Sequence, residues 1–151
     1  MTEEHAKLLL LKDLSARLPY GVKIVIQDTF KYSIASREYH VLDVSNFSDI
    51  FCFNYKKFDK RMKKAMRERP NDIVIKPYLF PLSSMTEDQK KEYNKRKHLV
   101  PTYHYEYGDV VDEYELWDSP WSFEYLIENH FDCNGLIPLG LAEDATGKNI
   151  Y

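Results

Sequence analysis

The spacing of apolar residues near the start of the chain predicts a helix. Four leucines recur at intervals of three and four residues, which places them along one helical face: Leu8, Leu11, Leu14 and Leu18. Pro19 and Gly21 follow directly and are typical of the end of a helix. We therefore expect a helix over residues 3–18, with the leucine stripe turned toward the core.

The segment that follows is rich in β-branched and aromatic residues that alternate with polar ones. Val22–Ile26, Tyr32–Ile34 and Tyr39–Val44 show this pattern, which is typical of strands with one buried face. We expect two or three antiparallel strands joined by short turns. Ile50–Phe53 is a further candidate for a short strand.

A helical period governs residues 56–69. Charged residues occupy most positions of this segment, and Pro70 behind it cannot continue a helix. One apolar stripe runs through it at helical spacing, formed by Phe58, Met62, Ala65 and Met66. The pattern predicts an amphipathic helix with a basic outer face.

Prolines and a capping motif organise the middle of the chain. Asp72–Ile75 is strand-like, but Pro77 and Pro81 predict that residues 76–82 are extended without a regular ladder. Four residues later, a threonine three positions before a glutamine fits a capping box. A mostly polar helix should therefore follow over residues 87–97.

The last third of the chain combines a hairpin pattern with a final helix. Residues 103–117 alternate apolar residues with acids and predict either a half-buried strand or a hairpin around Gly108 and Asp109. Ser119 and Pro120 suit the cap and first turn of a helix. Its inner face would carry Phe123, Leu126, Ile127 and His130.

These elements predict one α+β domain over residues 1–151. We expect a small antiparallel sheet packed with three to four helices, with a partly closed barrel as the alternative form of the sheet. A chain of 151 residues is long enough to bury one core. The periods assign to this core Leu11, Leu14, Leu18, Ile24, Ile26, Val41, Val44, Met62, Met66, Phe123, Leu126 and Ile127.

Composition indicates a folded protein in a reducing compartment. The chain is 44% hydrophobic and 15% aromatic, which favours folding despite 30% charged residues. Cys52 and Cys133 lack partners at metal-ligand spacing, and the sequence starts without a recognisable secretory leader, so we expect two reduced thiols and no bound metal. The Leu8–Leu11 run is far shorter than the roughly twenty apolar residues of a membrane span. We expect no membrane association.

Charge is sorted by position along the chain. Residues 56–97 hold fourteen Lys or Arg against six Asp or Glu, whereas residues 98–147 hold eleven Asp or Glu and no Lys or Arg. The net charge of −3 hides these opposed blocks. Charges of one sign repel each other, so we expect the two blocks to face each other or to face a partner.

The basic segment is the first candidate for a binding surface. Its cations would neutralise an acidic partner or the phosphates of a nucleic acid, and Tyr55 or Phe58 would stack a base. A pI near 6 disfavours nucleic acid, and a plain solvated helix remains the simplest alternative. The candidate residues are Lys56, Lys57, Lys60, Arg61, Lys63, Lys64 and Arg67, with Arg69 behind them.

A second candidate surface is the proline-bracketed segment that contains Tyr78 and Phe80. If this segment is exposed, its aromatic side chains would dock on a partner. Large apolar side chains are normally buried, so a structural role in the core is the favoured alternative.

Three further groups carry weaker chemical signals. The acids between Glu106 and Asp118 do not have the spacing of a calcium-binding loop. The outer face of a hairpin is the favoured interpretation of these acids, and a mimic of nucleic acid is the alternative. His98, His104 and His130 form no standard zinc pattern. A nucleophile pair of Cys133 with His130 would need a third, orienting group.

Three stretches of the sequence carry a family resemblance. They are Leu14–Lys23, Lys76–Thr86 and the segment from Asn129 to Ala142, with Asn129-His130-Phe131-Asp132 ahead of two Gly-Leu pairs. Together they resemble a family of small proteins, without an assigned activity, from gut Bacteroidales, their prophages and their phages. Cys133 departs from the pattern, where an aromatic residue is expected, and residues 103–117 look like an extension. The resemblance implies a bacterial or phage setting and no mechanism.

The sequence therefore predicts a non-enzymatic accessory protein of the mobile-element type that acts by binding a macromolecule. A protein partner or self-association is the first choice. A nucleic-acid-binding regulator that uses helix 56–69 is one alternative, and a phage inhibitor or sponge of a host defence component is the other. We expect no catalytic residues and no cofactor. We expect a cytoplasmic location, in the bacterial cell or in the host of a phage.

Overall fold

Five α-helices and six strands make up the described part of the chain. The computed structural model describes residues 1–30, 37–52, 54–97, 101–106, 109–114 and 120–151. The helices are α1 (Glu3–Arg17), α2 (Phe47–Phe51), α3 (Lys60–Glu68), α4 (Glu87–Lys97) and α5 (Pro120–Glu128). The strands are β1 (Val22–Asp28), β2 (Arg37–Leu42), β3 (Ile73–Leu79), β4 (Pro101–Glu106), β5 (Asp109–Tyr114) and β6 (Glu143–Asp144). The predicted α+β domain is confirmed.

The main sheet is mixed and open, which corrects the prediction of an antiparallel sheet or partly closed barrel. Its strand order is β2-β1-β3-β6. β1 pairs antiparallel with β2 and with β3, whereas β6 pairs parallel with β3. Among the described strands, β4 and β5 form a separate hairpin. The predicted turn at Gly108 lies outside the described residues.

Pro77 lies within a regular ladder, so the prediction of an unpaired extended segment there is wrong. It faces Ile24 in the register between β3 and β1. The Lys23 N–H points toward β3, and successive residues of a strand point their N–H groups to opposite sides. The Ile24 N–H therefore points toward β2. Ile24 and Pro77 thus form a pair without mutual main-chain hydrogen bonds, so the missing N–H of Pro77 costs no bond to β1.

A tyrosine hydroxyl bridges β1 and β3 one step beyond Pro77. The Tyr151 hydroxyl accepts a hydrogen bond from the Lys23 N–H (2.9 Å) and donates one to the Tyr78 carbonyl (2.8 Å). The Lys23 ammonium also donates to the Ile150 carbonyl. Burial raises the pKa of Tyr151 to about 12, which keeps this hydroxyl protonated and able to donate.

We expect Tyr151→Phe to lower the free energy of unfolding by about 1–2 kcal/mol, because the Lys23 N–H and the Tyr78 carbonyl lose the hydroxyl that joins them. Urea denaturation followed by circular dichroism measures the change. Tyr20→Phe is the matched control, since it removes a Tyr20–Glu124 hydrogen bond at the surface. Equal, small effects of the two substitutions would show that the Tyr151 bridge adds nothing to the fold.

The face that α1 buries differs from the predicted leucine stripe. Leu14 is fully buried, but Leu11 is 44% exposed and Leu8 is exposed as well. Four consecutive leucines surround the helix, so their spacing does not select one face. The buried face runs through Leu14 and Arg17, with Leu18 only partly buried behind them. The assignment of Leu11 to the core is wrong.

The end of β2 corrects two more core assignments. Leu42 is buried and Val41 is 45% exposed, because adjacent residues of a strand point to opposite faces. Val44 lies beyond the strand and is exposed. The Asp43 carboxylate accepts hydrogen bonds from the Ser45 and Asn46 N–H groups, which turns the chain away from the sheet.

This turn leads into a helix where a strand was expected. Phe47, Ile50 and Phe51 have helical spacing and lie in α2, with Ile50 fully buried. The short apolar run therefore belongs to a helix, and length alone does not distinguish the two cases. Phe53 and the predicted strand Tyr32–Ile34 lie outside the described residues.

The starts of α4 and α5 agree with the predictions, but the inner face of α5 does not. The capping box of α4 is present, since Thr86 and Gln89 exchange side-chain and main-chain hydrogen bonds of 2.9 and 3.2 Å. α5 begins at Pro120, and its Ser119 cap lies outside the described residues. The inner face of α5 is rotated from the prediction: Leu126 and Ile127 are buried, but Phe123 is 42% exposed.

The main core joins the sheet to α1, α2 and α3. It contains the predicted residues Leu14, Ile24, Ile26, Met62 and Met66. A second cluster around Leu126 and a third around Tyr78 pack beside it. α3 is thereby fixed to the sheet by its apolar face, and its other face is left on the surface.

Candidate macromolecule-binding surface

The orientation of α3 follows from its cap and its apolar stripe. The Asp59 carboxylate accepts a hydrogen bond from the Met62 N–H (2.7 Å), so the helix starts at Lys60 rather than at residue 56. Met62, Ala65 and Met66 are buried, as predicted. Because these residues occupy one side of a short helix, the basic residues between them must lie on the other side.

The basic residues of this region form one exposed surface, which we call the cationic surface. Within the described part of the chain, none of its members has a carboxylate within 4.0 Å. The exposed side chains are Lys56, Lys57, Lys60, Arg61, Lys63, Lys64 and Arg67. Every basic member of the predicted binding set is thus exposed, and those from Lys60 to Arg67 share the outer face of α3.

Arg69 does not belong to this surface. Its guanidinium binds Asp28 through two hydrogen bonds of 2.8 and 2.6 Å, and it lies over the ring of Phe30 at 4.7 Å. The Asp28 carboxylate also raises the pKa of Arg69. Arg69 therefore ties the end of α3 to the end of β1, which is a structural role.

The described acidic side chains of residues 98–147 contact groups other than the cationic surface. None of these described carboxylates contacts α3. The contacts are Glu124 with Tyr20, Glu128 with Arg96, Asp132 with the Leu136 and Ile137 N–H groups, and Glu143 with Lys76 and Lys148. The side chains of residues 106–118 lie outside the described set.

The aromatic residues beside α3 do not offer a platform for a nucleic-acid base. Phe58 is 4% exposed and Tyr55 is half-buried. Both rings meet His40 edge-on, with centroids 5.2 and 5.5 Å apart. Burial and the nearby Lys57 lower the pKa of His40, so this aromatic group is a packed, uncharged cluster at neutral pH.

A groove of about 430 Å³ opens between α2 and α3, at one end of the cationic surface. Cys52 and Asn54 form one wall, and Lys63 and Arg67 form the other. Buried Met66 lies at its floor. Cys52 carries a free, exposed thiol.

The two aromatic members of the predicted binding set lie in the core instead. Tyr78 is 2% exposed and stacks on Tyr39 at 5.9 Å between ring centroids. Phe80 is half-buried between Phe131 and Tyr151. Neither belongs to the cluster that holds α3. Because the Tyr78 side chain is buried, it cannot contact a partner. Its inclusion in the predicted binding set is therefore wrong.

Sequence reasoning missed a buried polar cluster around Arg17. Arg17 and Asp13 are 0% and 1% exposed, and two hydrogen bonds of 2.6 and 3.0 Å join them. Arg17 also donates to the Phe131 carbonyl at 2.7 Å, and Asn134 donates to Asp13 at 2.8 Å. The signal was an acid and a base four residues apart in an otherwise leucine-rich helix.

The thiol and the imidazole near Arg17 are poorly suited to nucleophilic catalysis. Burial raises the pKa of Cys133 to about 11, so the thiol is protonated at neutral pH. Burial and the Arg17 charge lower the pKa of His130 to about 4. His130 lies just past α5 with φ +64° and stacks on Tyr151 at 3.8 Å. Cys133 and His130 therefore have the surroundings of packed core residues.

The three sequence blocks that carried the family resemblance meet in this region. Arg17 comes from the first block, Phe80 from the second and Phe131 from the third. Arg17 binds the Phe131 carbonyl, and Phe80 exchanges main-chain hydrogen bonds of 2.8 Å with His130 and Asp132. The three segments thus pack against one another in this chain.

The described residues contain neither a metal-binding cluster nor a helix that could span a membrane. No group of three or more His, Cys, Asp or Glu side chains in that part of the chain is arranged to hold a metal ion. No described helix has the length and apolar character needed to cross a bilayer.

The cationic surface and its groove are therefore the chief candidates for function. They combine unpaired charge with a concave opening, whereas the polar cluster around Arg17 is closed within the core. The chain matches no protein-family model, no curated protein and no solved structure.

Proposed function

We propose that this chain is a non-enzymatic binding protein whose cationic surface contacts an acidic region of a protein partner. The observation that carries the proposal is the set of seven exposed cations, none of which has a described carboxylate within 4.0 Å. Lys57 differs from the rest in sharing a groove with Asp43 and Asp49. Clustered charges of one sign repel each other, and an acidic partner removes that repulsion.

A protein fits this surface better than a nucleic acid does. The chain carries a net charge of −3 with a pI near 6, and most of its acids lie outside α3. A long polyanion would approach those acids as well as the cationic surface, whereas an acidic patch of a protein meets the cations alone. The burial of Phe58 also removes the stacking that single-stranded nucleic acid requires.

We also propose a cellular location for the protein. An exposed free thiol at Cys52 is compatible with a reducing compartment, so we assign the protein to the cytoplasm of a bacterial cell or of a phage host. The proposed role in that setting is that of an accessory protein of a mobile element.

The test reverses Lys60, Lys63 and Lys64 to glutamate. We expect the parent protein to retain a partner from a nuclease-treated cytoplasmic extract at low salt, and the reversed protein to lose it by about tenfold or more in affinity. Mass spectrometry identifies the partner, and titration calorimetry with the purified partner measures the dissociation constant at two salt concentrations.

The matched control reverses three exposed lysines on other helices, Lys12, Lys91 and Lys95. It changes the net charge equally and should keep the partner. Equal losses in the two variants would show that only net charge matters. Binding that disappears with nuclease treatment and returns with added duplex DNA would replace the protein partner with a nucleic acid.

A further inference from the structure

The groove between α2 and α3 differs in charge from three other grooves on the described surface. Its polar walls come from Asn54, Lys63 and Arg67, and no described carboxylate lines it. A groove near β2, of about 510 Å³, has Asp43 and Asp49 in its walls. The grooves along α1 each include a glutamate. The α2–α3 groove is therefore lined by cations without a described acid, whereas each of the other three includes at least one carboxylate.

The two cations of this groove are placed to act together. Lys63 and Arg67 are four residues apart in α3, so they lie one turn apart on the same face of the helix. Arginine presents a planar pair of donors that matches a carboxylate, and lysine adds a mobile point charge. Asn54 also lines the groove, and its side-chain amide can donate a hydrogen bond to oxygen.

The floor and size of the groove restrict its occupant. Met66 forms an apolar floor, which suits the methylene groups of an acidic side chain. The volume of about 430 Å³ lies within the range of small-ligand sites, roughly 300–1,000 Å³. Lys60 and Lys64 lie on the same helix outside the groove, so a peptide anchored in it can continue across them.

We propose that this groove is the anchor point of the partner interface, and that it receives the carboxylate of an aspartate or glutamate in an acidic peptide segment. The inference rests on the proposed function, because it names the chemistry of the same partner. Charge complementarity selects this occupant: two cations and an amide donor surround the opening, and a peptide carboxylate satisfies all three. The other cations of the surface then contact the flanking acids.

Cys52 lies in the wall of the groove and serves as a reporter that needs no partner. Iodoacetate carries a carboxylate and iodoacetamide does not, but both react with the same thiolate. The ratio of their rates at Cys52 therefore cancels any change in the thiolate fraction. At low salt we expect the ratio to exceed that of a free cysteine by about fivefold or more, as measured by mass spectrometry of the Cys52 peptide.

Two matched double variants locate the effect. Lys63→Gln with Arg67→Gln should bring the ratio down to that of free cysteine. Lys60→Gln with Lys64→Gln removes the same charge from the same helix outside the groove, and should keep most of the excess. All four positions are exposed, so thermal melting should match the parent. Equal losses in the two doubles would overturn the anchor in favour of diffuse attraction by the whole surface.

A second measurement tests the occupant. A saturating oligoglutamate peptide should slow the reaction of Cys52 with iodoacetamide and leave the half-buried Cys133 unchanged. Stronger protection by duplex DNA at equal charge would overturn the assignment to an acidic peptide.

The anchor and the proposed function fail separately. An ordinary iodoacetate ratio at Cys52, with partner loss in the Lys60, Lys63 and Lys64 reversal, overturns the anchor alone. A raised ratio, with partner binding unaffected by that reversal, overturns the proposed function and with it the assignment of the groove to that partner.

Discussion

Replacing Asp13 with alanine should lower the free energy of unfolding by about 3–5 kcal/mol, because the substitution leaves a buried guanidinium without its carboxylate. Arg17 is 0% exposed, and Asp13 accepts two of its hydrogen bonds. The substitution also removes the acceptor for the Asn134 amide. Urea denaturation followed by circular dichroism measures the loss.

The chain supplies its own control for this prediction. Glu3 and Lys7 form an ion pair on the same helix at the same spacing, with an N–O distance of 2.7 Å, but both side chains are exposed. Water screens such a pair, so Glu3→Ala should leave the melting temperature nearly unchanged. Similar effects of Glu3→Ala and Asp13→Ala would show that water reaches Arg17 and that the pair is not buried.

A double variant separates the ion pair from the packing around it. Asp13→Leu with Arg17→Met replaces both charges by apolar side chains, so no buried charge is left without a partner. We expect the double variant to be more stable than Asp13→Ala. A double variant as unstable as the single one would assign the cost to lost packing or to the Phe131 carbonyl, which loses its donor.

Truncating Leu126 to alanine should lower the free energy of unfolding by about 2–5 kcal/mol. Leu126 is 5% exposed and packs in a cluster with Tyr125 and Phe131, so its removal leaves a cavity between α5 and the segment behind it. Chemical denaturation of the parent and the variant measures the difference.

Phe123→Ala is the control on the same helix. The sequence assigns Phe123 to the inner face, but its ring is 42% exposed in the structure. Its truncation should therefore cost about 1 kcal/mol or less. If Phe123→Ala is the more damaging of the two, α5 is rotated about its axis relative to the structure.

Local sequence signals located most of the helices and strands. The capping box of Thr86 and Gln89 and the apolar stripe through Met62 and Met66 each involve residues only a few positions apart. Such signals act within one or two turns, so they survive in the folded chain. One failure came where a local signal allowed two outcomes: at Ile50 a short apolar run suits a strand or a helix.

The candidate surface was partly visible in the sequence for a similar reason. The basic residues of α3 and the segment before it are contiguous, so their clustering was predictable. Their lack of carboxylate partners was not, because an acid that pairs with Lys63 or Arg67 could come from any part of the chain. The groove beside them was equally hidden, since Cys52 and Asn54 come from a different segment.

The sequence by itself determined the α+β class, the amphipathic α3 and the segregation of charge, since these depend on composition and on neighbours along the chain. Only the tertiary structure decided which side of α1, β2 and α5 faces inward, and which arginine is buried. Arg17 is held by the Phe131 carbonyl, 114 positions away, whereas Arg67 remains on the surface. The physical reason is that burial depends on packing between distant segments, and no periodicity within one segment records what another segment will cover.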